Sequence, residues 1–183
     1  MFNLIPIILY LTGTLATPTS SHPSNSAPHL EKSHARPIET YTAREVITKL
    51  NLTANPEGGY LVQSFEDPLK SSNRSVSTAI YYLLEGSTGD SLWHKVDAAE
   101  VWHYYAGAPL TLSLSWDNGT ATRYACLGQE IFEGQRPQVV VGRDEWQRAR
   151  SEGEWTLVGT TVAPGFTESG TVIREAGWEP WGA

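Results

Sequence analysis

Nine short segments rich in β-branched and aromatic residues constrain the fold of this chain more than any other feature. They fall at 76–84, 92–96, 100–105, 110–116, 121–127, 138–141, 146–149, 156–161 and 171–173. Turn signals divide them at 86–90, at Asp117-Asn118-Gly119 and at Gly142-Arg143-Asp144. Many short strands at this spacing indicate an all-β sandwich or barrel. One helix is expected ahead of them. Thr42-Ala43-Arg44-Glu45 is a capping box followed by Val46, Ile47 and Leu50, so a helix should run over about 43–50 and end at the Asn-Pro-Glu-Gly-Gly stretch. No period of 20–50 residues repeats, which argues against a solenoid or propeller.

The chain has 183 residues, enough for one domain with a real core. Its first residues hold an apolar run, Leu4 to Leu11, followed by Thr14-Leu15-Ala16. Small residues at the positions a signal peptidase reads give an expected signal peptide over 1–16. The run is too short for a spanning helix, so no membrane association is expected after cleavage. Residues 17–39 are rich in Ser, Pro, Ala and His and read as a flexible linker, with His22, His29 and His34 as solvated tail residues. The remaining expected boundaries are a β domain over 40–175 and a C-terminal tail over 176–183. Three sequons, at Asn51, Asn73 and Asn118, agree with export and with glycosylation. Cys126 is the single cysteine, which excludes an intrachain disulfide. The formal charge is -7 and no basic cluster relieves it, so nucleic acid is excluded as a partner. Glycine-rich phosphate loops, paired zinc-ligand cysteines and a Gly-x-Ser-x-Gly elbow are all absent.

Chemistry concentrates in Leu92-Trp93-His94-Lys95-Val96-Asp97-Ala98-Ala99-Glu100-Val101-Trp102-His103-Tyr104-Tyr105. Residues two apart in a strand share a face. On that parity His94, Val96, Glu100, Trp102 and Tyr104 point one way, and His103 and Tyr105 the other. A turn at Asp97-Ala98-Ala99 could break the register. An inward Glu100 costs several kcal/mol unless it is paired or bound to a metal. His103 reads as a sheet-face residue.

The spacing Gly89-x4-His94-x-Val96-x3-Glu100-x6-Gly107 resembles the first cupin motif. Further pieces resemble the cupin-5 subfamily (domain of unknown function 985). They are Pro56-Glu57-Gly58-Gly59-Tyr60, Ser77-Thr78-Ala79-Ile80-Tyr81-Tyr82-Leu83-Leu84, Gly134-Gln135-Arg136-Pro137-Gln138, Trp146-Gln147 and Val162-Ala163-Pro164-Gly165-Phe166. The resemblance implies a double-stranded β-helix, the cupin jelly roll, with a pocket inside the barrel. It implies a homodimer as well. Metal-binding cupins typically offer three His and one Glu. Here Val96 stands at the second His position, and Gln147 at the His position of the second motif. The remaining candidate ligands, His94, Glu100 and Gln147, would hold a divalent metal only weakly. No other cofactor is expected. The chain also departs from the usual Pro-Ala-Gly turn, with Gly142-Arg143-Asp144-Glu145 in its place.

Three functions remain open on these residues. The first is acid–base chemistry of the isomerase, lyase or cyclase type on a small molecule, with His94 as base, Glu100 orienting it and Tyr104 or Tyr82 as acid. The second is a non-catalytic module gripping a sugar-like or planar ligand. Trp93, Trp102, Tyr104 and Trp146 would form its aromatic wall. Arg136 could hold a carboxylate or phosphate in either case. The third is a metal-dependent oxygenase on His94, Glu100 and Gln147. In the Glu57-Gly58-Gly59-Tyr60 stretch the glycines read as a backbone constraint, with Glu57 a candidate for the pocket mouth.

Overall fold

A computed structural model describes residues 36–183. The expected signal peptide, most of the expected linker, and His22, His29 and His34 lie outside the described residues. Helix α1, Ala43–Leu50, has the expected bounds and the expected capping box, with Glu45 N bonded to Thr42 Oγ1. Thirteen strands follow among the described residues. They are β1 Thr53–Ala54, β2 Tyr60–Glu66, β3 Lys70–Ser71, β4 Arg74–Ser75, β5 Thr78–Glu85, β6 His94–Val96, β7 Ala99–Gly107, β8 Leu110–Ser115, β9 Arg123–Leu127, β10 Gln138–Val141, β11 Trp146–Ser151, β12 Trp155–Ala163 and β13 Thr171–Ile173.

Two antiparallel sheets face each other, which makes the chain an all-β jelly roll. One has six strands in the order β1-β2-β5-β12-β7-β10, the other five in the order β13-β6-β11-β8-β9. Strand β2 was not anticipated. Tyr60-Leu-Val-Gln-Ser-Phe-Glu66 mixes apolar and polar residues, and its outer half is exposed, so its pattern is weak. Pairing with β5 on one side and β1 on the other decides its state.

Alternation puts one row of each strand inside. In β8 that row is Leu110, Leu112 and Leu114, all fully buried. They meet Tyr82, Leu84, Trp102 and Val158 of the six-stranded sheet in a single core. A second cluster lies outside that sheet. There Val46 and Ile47 of α1 pack on Leu83, Ala106, Trp155 and Leu157. The Trp155 indole donates to Tyr41 O at 2.9 Å and pins the helix in place. A bulge between Leu157 and Val158 lets β7 gain a residue against β12. As a result Tyr104 joins the inner core while Ala106 joins the outer cluster.

The departure at Gly142-Arg143-Asp144-Glu145 is accommodated by a left-handed Asp144, φ 62°. Glu145 folds back, accepting from Gly142 N and from both Arg123 Nε and Nη2. The expected tail is packed rather than loose. Trp178 sits against Trp93 and Trp146, and Trp181 N donates to Asp117 Oδ1. No helix among the described residues is long and apolar enough to cross a membrane.

Candidate functional site

Strands β6 and β7 belong to opposite sheets, and the chain crosses between them at Asp97-Ala98. His94 and Glu100 therefore come to the interior from opposing walls. Each is buried, 4% and 7% exposed. Both line a barrel pocket of about 160 Å³, together with Glu57, Tyr82, Trp102, Thr160 and Phe166.

His94 Nδ1 lies 3.1 Å from Leu92 O. A carbonyl only accepts, so Nδ1 carries the hydrogen and Nε2 is the nitrogen free to exchange a proton. Nε2 faces Glu57 Oε2 at 3.5 Å. That is long for a hydrogen bond and suits a contact that tightens when the ring becomes charged. Glu57 reaches this place because Gly58 and Gly59 both have positive φ, 110° and 69°. At Gly59 a Cβ would lie 2.4 Å from Leu83 O, so only glycine fits there. Tyr82 secures the same loop, donating from its hydroxyl to Gly58 O at 2.7 Å.

Glu100 is held by a directed chain. The Trp102 indole donates to Gln147 Oε1 at 2.8 Å, and Gln147 Nε2 donates to Glu100 Oε2 at 2.6 Å. The indole can only donate, which fixes the amide orientation of Gln147. Burial pushes the Glu100 carboxyl up from its ordinary range, and attraction to His94 offsets part of that.

Several expected site residues lie elsewhere. Trp93 and Trp146 point out of the barrel, because they alternate with the inward His94 and Gln147. They stack with Trp178, under the guanidinium groups of Arg148 and Arg174. Arg136 is exposed, joined to β9 by its backbone N–H to Cys126 O. Tyr104 is inward but packs in the core away from the pocket, and its hydroxyl donates to Gly107 O. Tyr82 lines the pocket, yet burial raises its phenol and its proton is given to Gly58 O. Neither tyrosine is placed to act as the acid. Glu57 is the residue the sequence undervalued. Its signal was the paired glycine that follows it, a bend whose purpose only the fold reveals. His103 is on the outer sheet face, near Gln138 and Thr161.

The residues do not fit the three-His-one-Glu metal centre. Val96 offers no ligand and Gln147 is engaged at both ends, which leaves His94 Nε2 and Glu100 as the donors of that set. Among the described residues no group of three or more His, Cys, Asp or Glu converges on one point.

A family model described as cupin superfamily (DUF985) matches residues 44–173, and this chain belongs to that family. The chain is similar to a structural-genomics protein from Shewanella oneidensis, at 29% identity and a TM-score of 0.69, over 74% of this chain and 85% of that one. It is similar also to a hypothetical protein from Leishmania major, at 25% identity and a TM-score of 0.68, over 73% and 88%. Oxalate decarboxylase from Bacillus subtilis aligns at 12% identity and a TM-score of 0.49, over 66% of this chain and 29% of that one. A comparison with curated proteins returns no match.

Proposed function

We propose that the barrel pocket moves protons on a small neutral molecule, as an isomerase, lyase or cyclase does. The observation that supports this reading is the gathering of two carboxylates, Glu57 and Glu100, and one buried imidazole in a single pocket, with one carboxyl raised by burial. Unequal proton affinity in one pocket is what acid–base catalysis requires.

The roles follow from the contacts. Gln147 occupies Glu100 Oε2, so a proton held by Glu100 sits on Oε1, the atom suited to donate to a substrate oxygen. His94 Nε2 takes a proton from the adjacent carbon, and Glu57 stabilises the imidazolium that forms. Return of that proton to a different carbon, with Glu100 recovering its own, completes an isomerisation with atoms and charge balanced.

The pocket also selects. Its volume of about 160 Å³ is near that of a cavity that holds benzene and below the usual drug-sized range. Two carboxylates against one imidazole disfavour anions, and Leu61, Ile80, Val96 and Val162 offer an apolar wall. Both counts argue against a sugar nucleotide. The aromatic-grip reading loses support, since Trp93, Trp146 and Tyr104 do not line the pocket.

The test is deuterium incorporation from solvent into neutral ketones and lactones of about ten heavy atoms or fewer, a limit set by the pocket. Exchange that His94→Ala and Glu100→Gln each abolish supports the proposal. Compounds that shift the His94 ring resonances but exchange no faster than in His94→Ala sink it. The same reading includes secretion after cleavage near Ala16, a homodimer, and glycans on Asn51, Asn73 and Asn118, all exposed. N-terminal sequencing, sedimentation and glycosidase-induced mass shifts of the secreted protein check these in turn.

A further inference from the structure

Among the described residues a concavity larger than the barrel pocket lies outside the barrel. A groove of about 740 Å³ runs between α1 and the outer face of the six-stranded sheet. Its volume falls within the range of sites that enclose whole small molecules. Tyr81 and Tyr105 lie on its sheet side as an edge-to-face pair, centroids 5.9 Å apart. The Tyr105 ring is laid over Gly159, where a Cβ would meet its hydroxyl at 2.3 Å, so the sheet carries an aromatic shelf rather than a row of aliphatic knobs. Ile38, Val46, Leu50 and Leu157 complete an apolar trough.

The charges at its rim are unequal. Both Glu45 oxygens are engaged, one by Arg36 and the other by Thr42 N and Oγ1. Arg36 is further occupied by stacking on Tyr41 at 3.7 Å. Lys49 also borders the groove, and among the described residues its ammonium forms no ion pair, Glu45 of the preceding turn being paired with Arg36. In a chain of formal charge -7 this trough ends on a cation that forms no ion pair among the described residues. An apolar floor with one free ammonium complements a molecule with an apolar body and an anionic head.

We propose that this groove binds an apolar-tailed carboxylate, its tail along Tyr81, Tyr105 and Leu157 and its head at Lys49. The site is separate from the barrel pocket and does not depend on the reaction assigned there.

Calorimetry on the full secreted chain tests it, with decanoate, decanol and decyltrimethylammonium, each below its micellar concentration. Decanoate should bind about fivefold tighter than decanol and about tenfold tighter than the ammonium, the scale of one exposed charge contact. Lys49→Glu should erase that order, while Tyr105→Ala weakens all three alike. His94→Ala, which disables the barrel pocket, should leave decanoate affinity intact. Equal affinity for the three probes, indifference to Lys49→Glu, or loss in His94→Ala overturns the proposal. So does a dimer that dissociates in Tyr105→Ala without any decanoate binding, which would assign the face to a second copy of the chain.

Discussion

The two faces of the five-stranded sheet use similar residues to opposite ends. Inside, Gln147 joins Trp102 to Glu100 and leaves a pocket. Outside, Trp146, one residue earlier, joins Trp93 and Trp178 in a closed stack under Arg148 and Arg174. The inner face meets one buried indole, Trp102 of the opposing sheet, while the outer face carries its own. The difference is in the partners. The inner indole hydrogen, that of Trp102, is aimed at a single amide, which passes the direction on to a carboxylate. The Trp93 indole instead donates to Glu179 of the C-terminal segment, which Arg148 also binds. Inside, hydrogen bonds orient a reactive group. Outside, they fasten the end of the chain.

The largest effect should separate these faces. Trp102→Ala empties a buried ring at the centre of the core and should cost about 3–5 kcal/mol in urea denaturation. Removal of 176–183 should lower Tm by less and leave ligand shifts at His94 unchanged. Equal losses, or a pocket disturbed by the truncation, would break the division of roles.

Gln147→Leu comes next. It strands the Trp102 indole hydrogen and one Glu100 oxygen in a dry interior, so about 1–3 kcal/mol should be lost. Arg148→Ala on the outer face should cost about 1 kcal/mol or less, because its partners remain partly hydrated. Urea titration of the two variants side by side checks the ordering.

A pH effect sharpens the contrast further. The Glu100 carboxyl is raised in the folded protein, so the unfolded chain gives up that proton more readily. Glu100 therefore favours folding fully below the unfolded value, and loses that contribution as pH rises through the folded one. Glu100→Gln should be more stable than the parent near pH 7, with the advantage shrinking toward pH 4, where the carboxyl is protonated in both states. Asp97 carries the opposite sign. Arg74 grips it through two hydrogen bonds, 3.0 and 2.7 Å, and holds its carboxyl below the ordinary value. That contribution is present above the unfolded value and disappears as pH falls through the folded one. The pair is partly exposed, so Asp97→Asn should cost about 1 kcal/mol or less at neutral pH. Thermal melts from pH 3 to 8 on both variants check the two signs together.

The strand order of burial was legible because period-two patterning reports which residues share a face. The segment 110–116 was legible as a strand, its inner row of Leu110, Leu112 and Leu114 follows from the alternation, and the Thr42–Glu45 capping box announces α1 to the residue. Parity also joined His94 to Glu100. The reason it worked was invisible in the sequence, since the two residues sit on different sheets and the crossover at Asp97-Ala98 preserves the inward direction. Parity likewise put Tyr104 inward, but depth along the barrel is a separate coordinate, and Tyr104 lies beyond Trp102 in the packed core, outside the pocket. Trp93 and Trp146 were grouped with the pocket by composition, against their own alternation with His94 and Gln147.

The sequence by itself determined the class of fold, the helix bounds, the inward histidine and carboxylate, and the loss of metal ligands at Val96 and Gln147. The first three are matters of residue type and local spacing, which a linear pattern carries, and the last follows from the resemblance to the cupin motifs. Only the tertiary structure decided that Glu57 faces His94, that Gln147 is oriented by Trp102, and that the tail closes over the outer tryptophans. Those are contacts between residues 37, 45 and 86 positions apart, set by sheet pairing and close packing, and no local pattern encodes them.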